Sequence, residues 1–168
     1  MKVEIGPYHD NFEMDEKRTI DVEIHEYDVW NLDSTLALVI VPALTKLKEV
    51  KHGSPNVDDE DVPEELRSTS APPKENEWDT DDNFFKRWDW VLDEMIWAFT
   101  QVNADWESQY HSGTSDIKFV KLEDSGNYTM QRGPNDTHKF DKEGHKAHFK
   151  RMNNGTKLFG KYYFGLWD

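Results

Sequence analysis

A chain of 168 residues is long enough to build one domain around a sizeable core. Its 34 Asp and Glu against 20 Lys and Arg give a formal charge of -14 and a pI near 4.8, which excludes general nucleic-acid binding through an all-over basic surface. The absence of cysteine excludes disulfides, thiolate metal sites and cysteine nucleophiles, and fits a reducing cytoplasm.

In chain order, Met1 to Tyr8 carries Lys2 and Glu4 where a signal peptide would have an apolar run. Lys2 to Ile5 reads as a short strand stopped by Gly6-Pro7, and His9 to Lys17 as a loop. Ile20, Val22 and Ile24 alternate with Asp21, Glu23 and His25, the period of a strand with one buried and one wet face. His25 lies on the wet side, so it reads as a surface histidine. Asp33 or Ser34 can cap a helix running through Leu36, Ile40, Leu44 and Leu47 to about Val50, with Lys46, Lys48 and Lys51 toward its negative end and Gly53 as a stop. Pro42 inside it predicts a kink or break near Leu38. The apolar run Leu36 to Leu44 is too short to span a bilayer, so a soluble protein is expected. Glu49 and His52 have a di-iron spacing, but without matching carboxylates on other helices they read as a frayed helix end.

Gly53 to about Trp78 is a long proline-containing acidic loop. It carries the run Asp58, Asp59, Glu60 and Asp61, and a short helix is expected after Asp61, where Pro63 falls in a first turn. A loop this long in a compact domain is functional or mobile, and its charge suits either solvation or a basic surface on another chain.

Asp79 to Val102 reads as one amphipathic helix, the element around which the fold is organised. Phe84, Trp88, Val91, Leu92, Met95, Phe99 and Val102 recur at three- and four-residue steps, while Trp90 and Trp97 lie off that stripe, either deep in the fold or on a second contact surface. Asp79, Asp81, Asp82 and Asn83 resemble the start of a calcium loop, but Phe84 stands where the glycine belongs, so they are read as favourable charge at a helix N-terminus. Asn103 to Ser112 reads as a turn or short helix with Trp106 and Tyr110 paired. Ile117 to Leu122 and Tyr128 to Arg132 form a predicted hairpin around Asp124-Ser125-Gly126-Asn127, followed by a turn at Gly133-Pro134-Asn135-Asp136. The last helix starts near Asp141 and places His148, Met152, Gly155, Phe159, Tyr162 and Leu166 on one face, ahead of an aromatic end expected to dock on the central helix or on a neighbouring subunit.

Two constellations near the C-terminus bear on chemistry. His138, His145 and His148, with Asp136, Asp141 and Glu143, have residue types able to hold a metal that activates water. No zincin, P-loop or nucleophile-elbow signature accompanies them. The second set is basic: Lys139, Lys142, Lys146 and Lys150 recur on one helical face, with Arg151 beside them and Arg132, Asn135 and His138 entering just before. Turn amides, a helix N-terminus and these cations are suited to hold phosphate, and a Trp or Tyr to stack on a base. The plainer reading is neutralisation of the acidic loop, within one chain or between chains.

The stretches DVPEELRSTSAPPKENEWDTDDNFFKRWDWVLDEMIWAF and GPNDTHKFDKEGHKAHFKRMNNGTKLFGKYYFGLWD, together with DSTLALVIVPALTKLKEVKHG, resemble a family of uncharacterised bacteriophage proteins, especially of marine and environmental tailed phages. The resemblance implies a phage origin and a place in the host bacterial cytoplasm, and carries no catalytic residue or cofactor.

The expected fold is a single α+β domain spanning residues 1–168: a small antiparallel sheet, from the Ile20 to Ile24 strand and the Ile117 to Arg132 hairpin, packed under three main helices. The expected function is non-enzymatic host-directed binding, with an anionic nucleotide as a ligand; the alternatives are an acidic inhibitor of a basic host protein, a metal-dependent hydrolase and a virion-associated structural protein. A homo-oligomer is expected, with Trp90, Trp97, Tyr162 and Trp167 at or near its interface and Asp58, Asp59, Glu60 and Asp61 presented to a partner.

Overall fold

The computed structural model describes residues 1–6 and 19–167. The loop expected at His9 to Lys17 lies outside the described residues. The architecture is α+β, with strands β1 (Lys2–Gly6) and β2 (Thr19–Glu23), helix α1 (Leu32–Val50), helix α2 (Phe84–Val102), strands β3 (His111–Ser112), β4 (Ile117–Lys121), β5 (Tyr128–Arg132) and β6 (Lys139–Phe140), and helix α3 (Lys142–Lys161).

The central position of α2 follows from its sequence. Apolar side chains on more than one side require cover on more than one side, and α2 packs on α1 and on α3. Trp88, Val91, Leu92 and Met95 are fully buried, as their spacing predicts, and join Leu44 from α1 with Leu158 and Tyr162 at the end of α3. Ala98, Arg87 and Glu94 are buried as well, and they lie off the expected stripe. Glu94 accepts from Arg151 Nη2 at 2.6 Å and from its Nε at 3.0 Å, tying α2 to α3. Lys48 and Lys51 reach Asp93 at 2.5 Å and Asp89 at 2.7 Å, tying α1 to α2.

Helix α1 is continuous through Pro42, so the expected break is absent. Leu38, whose carbonyl loses its usual donor, is 68% exposed, which leaves water to take that carbonyl. Helix α3 starts as predicted: Asp141 caps it by accepting from the Gly144 N–H at 3.0 Å.

The strands depart from the single expected sheet. Among the described residues they form three separate two-stranded antiparallel ribbons, β1-β2, β3-β6 and β4-β5. The strand containing Ile20 and Val22 pairs with β1, setting Val3 opposite Val22 and Ile5 opposite Ile20, and the 117–132 hairpin keeps its own register from Ile117↔Arg132 to Lys121↔Tyr128. No ribbon residue enters the core; Ile20 is 71% exposed, so the face predicted to be buried is open. Alternation reports a strand with two unlike faces and is silent on what covers the apolar one.

Helices α2 and α3 meet at Gly155 with no room for a side chain. A Cβ there would lie 2.5 Å from the Glu94 carbonyl oxygen and would also collide with Ala98 Cβ, whereas one at Gly160 would meet nothing within 4 Å. Gly155→Ala is therefore expected to destabilise the fold by about 1–3 kcal/mol. The same change at Gly160 is expected to stabilise it by up to about 1 kcal/mol through helix propensity. Urea unfolding of the two variants should show midpoints moving in opposite directions.

Candidate functional site

Residues 53–83 hold little regular structure beyond short 3-10 turns, yet they are fixed to the helices at two places, residues 57–66 and residues 81–83. Val57 and Val62 insert into the core. Between them the Tyr162 hydroxyl donates to Asp61 at 2.6 Å and accepts from the Asp58 N–H at 3.0 Å. Lys161 pairs with Asp61 and, at 2.6 Å, with Asp58. Asp59 accepts from the N–H of Ser68 at 2.7 Å and from its hydroxyl at 2.5 Å, folding the loop back on itself. At the far end, buried Arg87 donates twice to Asp81 at 2.8 Å and once to the Leu66 carbonyl at 3.3 Å. The Asn83 amide donates to the carbonyls of Glu65 and Arg67 at 3.1 and 3.3 Å.

These contacts set the titration of the loop. Burial pushes the Asp61 carboxyl up, but hydrogen bonds from Lys161 and Tyr162 outweigh it, and Asp61 ionises below the usual carboxylate range. Tyr162 is pushed up to about 12 by burial and by its bond to the Asp61 carboxylate. The Arg87 guanidinium holds Asp81 low, and Ser68 does the same for Asp59.

Glu60, Glu64, Glu65, Glu75, Glu77 and Asp82 point outward and form no ion pair with any described residue. Among the last three stands Trp78, 93% exposed, with no ring contact to a described residue. Sequence reasoning passed over Trp78 because it falls outside any apolar period; its signal is a lone tryptophan inside an acidic, non-periodic stretch.

Several expected site residues have other places. Asp58, Asp59 and Asp61 are engaged within the chain, so the run expected to be presented to a partner leaves only Glu60 unpaired. Tyr162 is buried against Trp88, their ring centroids 6.0 Å apart, and is a core residue instead of an interface residue. Trp90 is half-buried against the core, and Trp97 lies half-buried under the Arg151 guanidinium, 3.9 Å from ring centroid to Cζ. Trp167 is half-exposed, its ring lying over Gly53 with a carbon 3.1 Å from where a Cβ would stand.

The expected anion site is divided. Asp116 takes the turn that was to hold phosphate: its carboxylate accepts from the Asn135 N–H at 3.1 Å, and its carbonyl accepts from the Gly133 N–H at 2.7 Å. Arg132 pairs with Asp136 at 3.3 Å, and with His138 lines a cavity of about 250 Å³ beside Met130 and Ile117. Arg151 is held by Glu94 and Trp97. Lys139, Lys142, Lys146 and Lys150 are exposed and make no ion pair with a described residue.

The histidines do not converge on a metal position; among the described residues no group of three potential ligands forms. His148 stacks on Trp106 with centroids 4.4 Å apart, near Trp97, and its Nδ1 shares a hydrogen bond of 3.0 Å with the Tyr110 hydroxyl. Burial pushes its pKa down, helped by the positive charges of Arg151 and His145. His138 shares a hydrogen bond of 2.9 Å with His111, and His145 faces Glu107 at 3.9 Å. Aromatic stacking has thus taken the residues that helical spacing grouped.

No described helix is long and apolar enough to cross a membrane. Comparison with known proteins finds no family model, no curated protein and no solved structure that matches the chain.

The Asp61, Lys161 and Tyr162 contacts predict both limbs of the stability profile. With its folded pKa depressed, Asp61 adds stability above its unfolded value of about 4, lost as pH falls through the folded value. With its pKa raised, Tyr162 adds stability below about 10, lost as pH rises toward about 12. Asp61→Asn should lower the urea midpoint at pH 7 and flatten the acid limb relative to the parent protein.

Proposed function

We propose that the protein is a non-enzymatic binding protein whose acidic loop, residues 53–83, docks on a basic surface of a partner protein with Trp78 as its anchor. The observation that carries this reading is the exposed Trp78 ring among the outward carboxylates of Glu75, Glu77 and Asp82, on a loop pinned at Asp61 and Arg87. Exposing a tryptophan forgoes about 1.5–3 kcal/mol or more of burial, and Trp is the residue type most enriched at the centres of interfaces. Fixing the loop beforehand removes much of the ordering entropy that binding would otherwise cost. The surrounding carboxylates steer a basic partner and set its orientation. The resemblance to phage proteins supports a host protein as that partner and the host cytoplasm as the place of the encounter.

A second reading, capture of an anionic ligand such as a nucleotide, rests on the outward face of α3. Lys142, Lys146 and Lys150 stand there beside exposed Phe149, with no acid partner among the described residues. A nucleotide held there raises the melting temperature with concentration, and Lys146→Glu abolishes that rise.

For the leading reading, immobilised protein is expected to retain a host protein that elutes as salt is raised, because the steering charges are screened over about 8–10 Å. Trp78→Ala should weaken that retention by about 30-fold or more, the loss of a central anchor, while leaving the melting temperature unchanged. Equal retention by parent and variant would remove the loop as the binding surface.

A further inference from the structure

Four of the chain's seven histidines, His111, His138, His145 and His148, lie in one column of rings. It starts on α2, where the Trp97 ring lies 4.9 Å from His148 of α3. It continues through Trp106, stacked on His148 at 4.4 Å and 4.9 Å from His145, to Phe140 of β6, 5.2 Å from His145. Phe140 stacks on His111 of β3 at 4.8 Å, and His111 on His138 at 5.1 Å. The column thus runs from the helices out to the β3-β6 ribbon, which places no residue in the core. Side-chain polar contacts from residues 106–110 to α3 end on histidines as well: the Tyr110 hydroxyl on His148 Nδ1 at 3.0 Å, and Glu107 facing His145 at 3.9 Å.

We propose that this column is an acid-released latch, which holds residues 104–140 against α3 while its histidines are neutral and frees them as the histidines take up protons below about pH 6.5. Two arrangements in it tolerate the neutral rings and not the charged ones. His148 Nε2 is buried with no hydrogen-bond partner among the described residues. On a neutral ring it can stay a bare lone pair while Nδ1–H donates to the Tyr110 oxygen; a protonated ring puts a charged N–H there with no acceptor. At the outer end, His111 Nδ1 and His138 Nε2 share a hydrogen bond of 2.9 Å, which needs one of the two nitrogens bare. A hydrogen on both facing nitrogens breaks it.

The charges around the column act in the same sense. Arg151 and His145 of α3 both oppose a positive charge on His148, and with burial they lower its pKa from the ordinary value. The nearby α2 carboxylate, Glu94, is engaged by Arg151 and is not free to compensate. Glu107 is exposed and faces His145, and Arg132 and Asp136 pair with each other beside His138. With its pKa lowered in the latched state, His148 supports that state fully above the free imidazole value of about 6.5 and loses this support as pH falls below it. Histidine is the side chain suited to such a change, because its charge turns over between about pH 5 and 8.

The test is amide hydrogen exchange followed by mass spectrometry at about pH 7.5 and about pH 5, with rates corrected for the intrinsic effect of pH. Peptides from 104–112 and 137–140 are expected to exchange about 10-fold faster or more at the lower pH, while peptides from 84–99 of α2 keep their protection. His148→Phe combined with His111→Phe keeps the rings and removes two sites of protonation, so its corrected exchange over 104–140 should be the same at both pH values. An NMR titration of the parent protein is independent of how that variant folds: the His148 ring signals and the Asp141 amide, which donates to the Tyr110 carbonyl at 2.8 Å, should move together with a midpoint below about 6.5. Equal corrected exchange of the parent at the two pH values overturns the proposal, as does an acceleration shared by α2 or undiminished in the double variant. A midpoint near about 4, the carboxylate range, overturns it too, by assigning the opening to Asp136 and Asp141.

Discussion

Burial of one helix on two sides is the constraint on which the rest of the structure depends. Trp88, Val91, Leu92 and Met95 reach zero exposure because α1 and α3 close on α2 together, with Val57 and Val62 of the loop filling the same cluster. Fully burying side chains of this kind stabilises by about 1.5–3 kcal/mol each, far more than the rim pairs Lys48–Asp93 and Lys51–Asp89, which are partly solvated. The approach of α3 is set by the missing side chain at Gly155, and its rotation by the Arg151 fork on Glu94.

The acidic loop inherits its order from this helical unit. Its core insertions, Val57 and Val62, end in the cluster that α2 nucleates, and its polar anchors are Arg87 from α2 with Lys161 and Tyr162 from the end of α3. Like charges crowd on residues 58–82, yet those close to the protein body each have a cation or donor, and those without one face water. A charged segment that would otherwise be a solvated tether becomes a fixed surface. Trp78 gains a functional reading only in that setting, because its stretch is held at both ends, by Leu66 before it and Asp81 after it, where Arg87 binds both.

The ribbons follow a different logic. A two-stranded ribbon has little stability of its own, and these three leave their apolar faces open instead of contributing them to the core. The 117–132 hairpin nonetheless shapes its surroundings, since Asp116 at its entrance supplies the carboxylate that fills the Gly133 to Asn135 turn. Asp116 satisfies both amides from within the chain, the Asn135 N–H through its carboxylate and the Gly133 N–H through its carbonyl, and so removes the anion site expected at that turn.

By itself, the sequence determined the elements whose signal is local. The 3.6-residue period placed α2 and its buried stripe, Asp141 marked the start of α3, and Asp124 to Asn127 marked a hairpin turn, because each depends on neighbours a few residues away. Only the tertiary structure decided how the charged and histidine residues are used. Lys161 meets Asp58 and Asp61 a hundred positions earlier, Arg151 meets Glu94, and the Trp106 ring packs against both His145 and His148. Side chains at such separations compete for partners only once packing brings them together. Composition could show that the chain holds opposite charges, but not which of them the folded protein would leave unpaired.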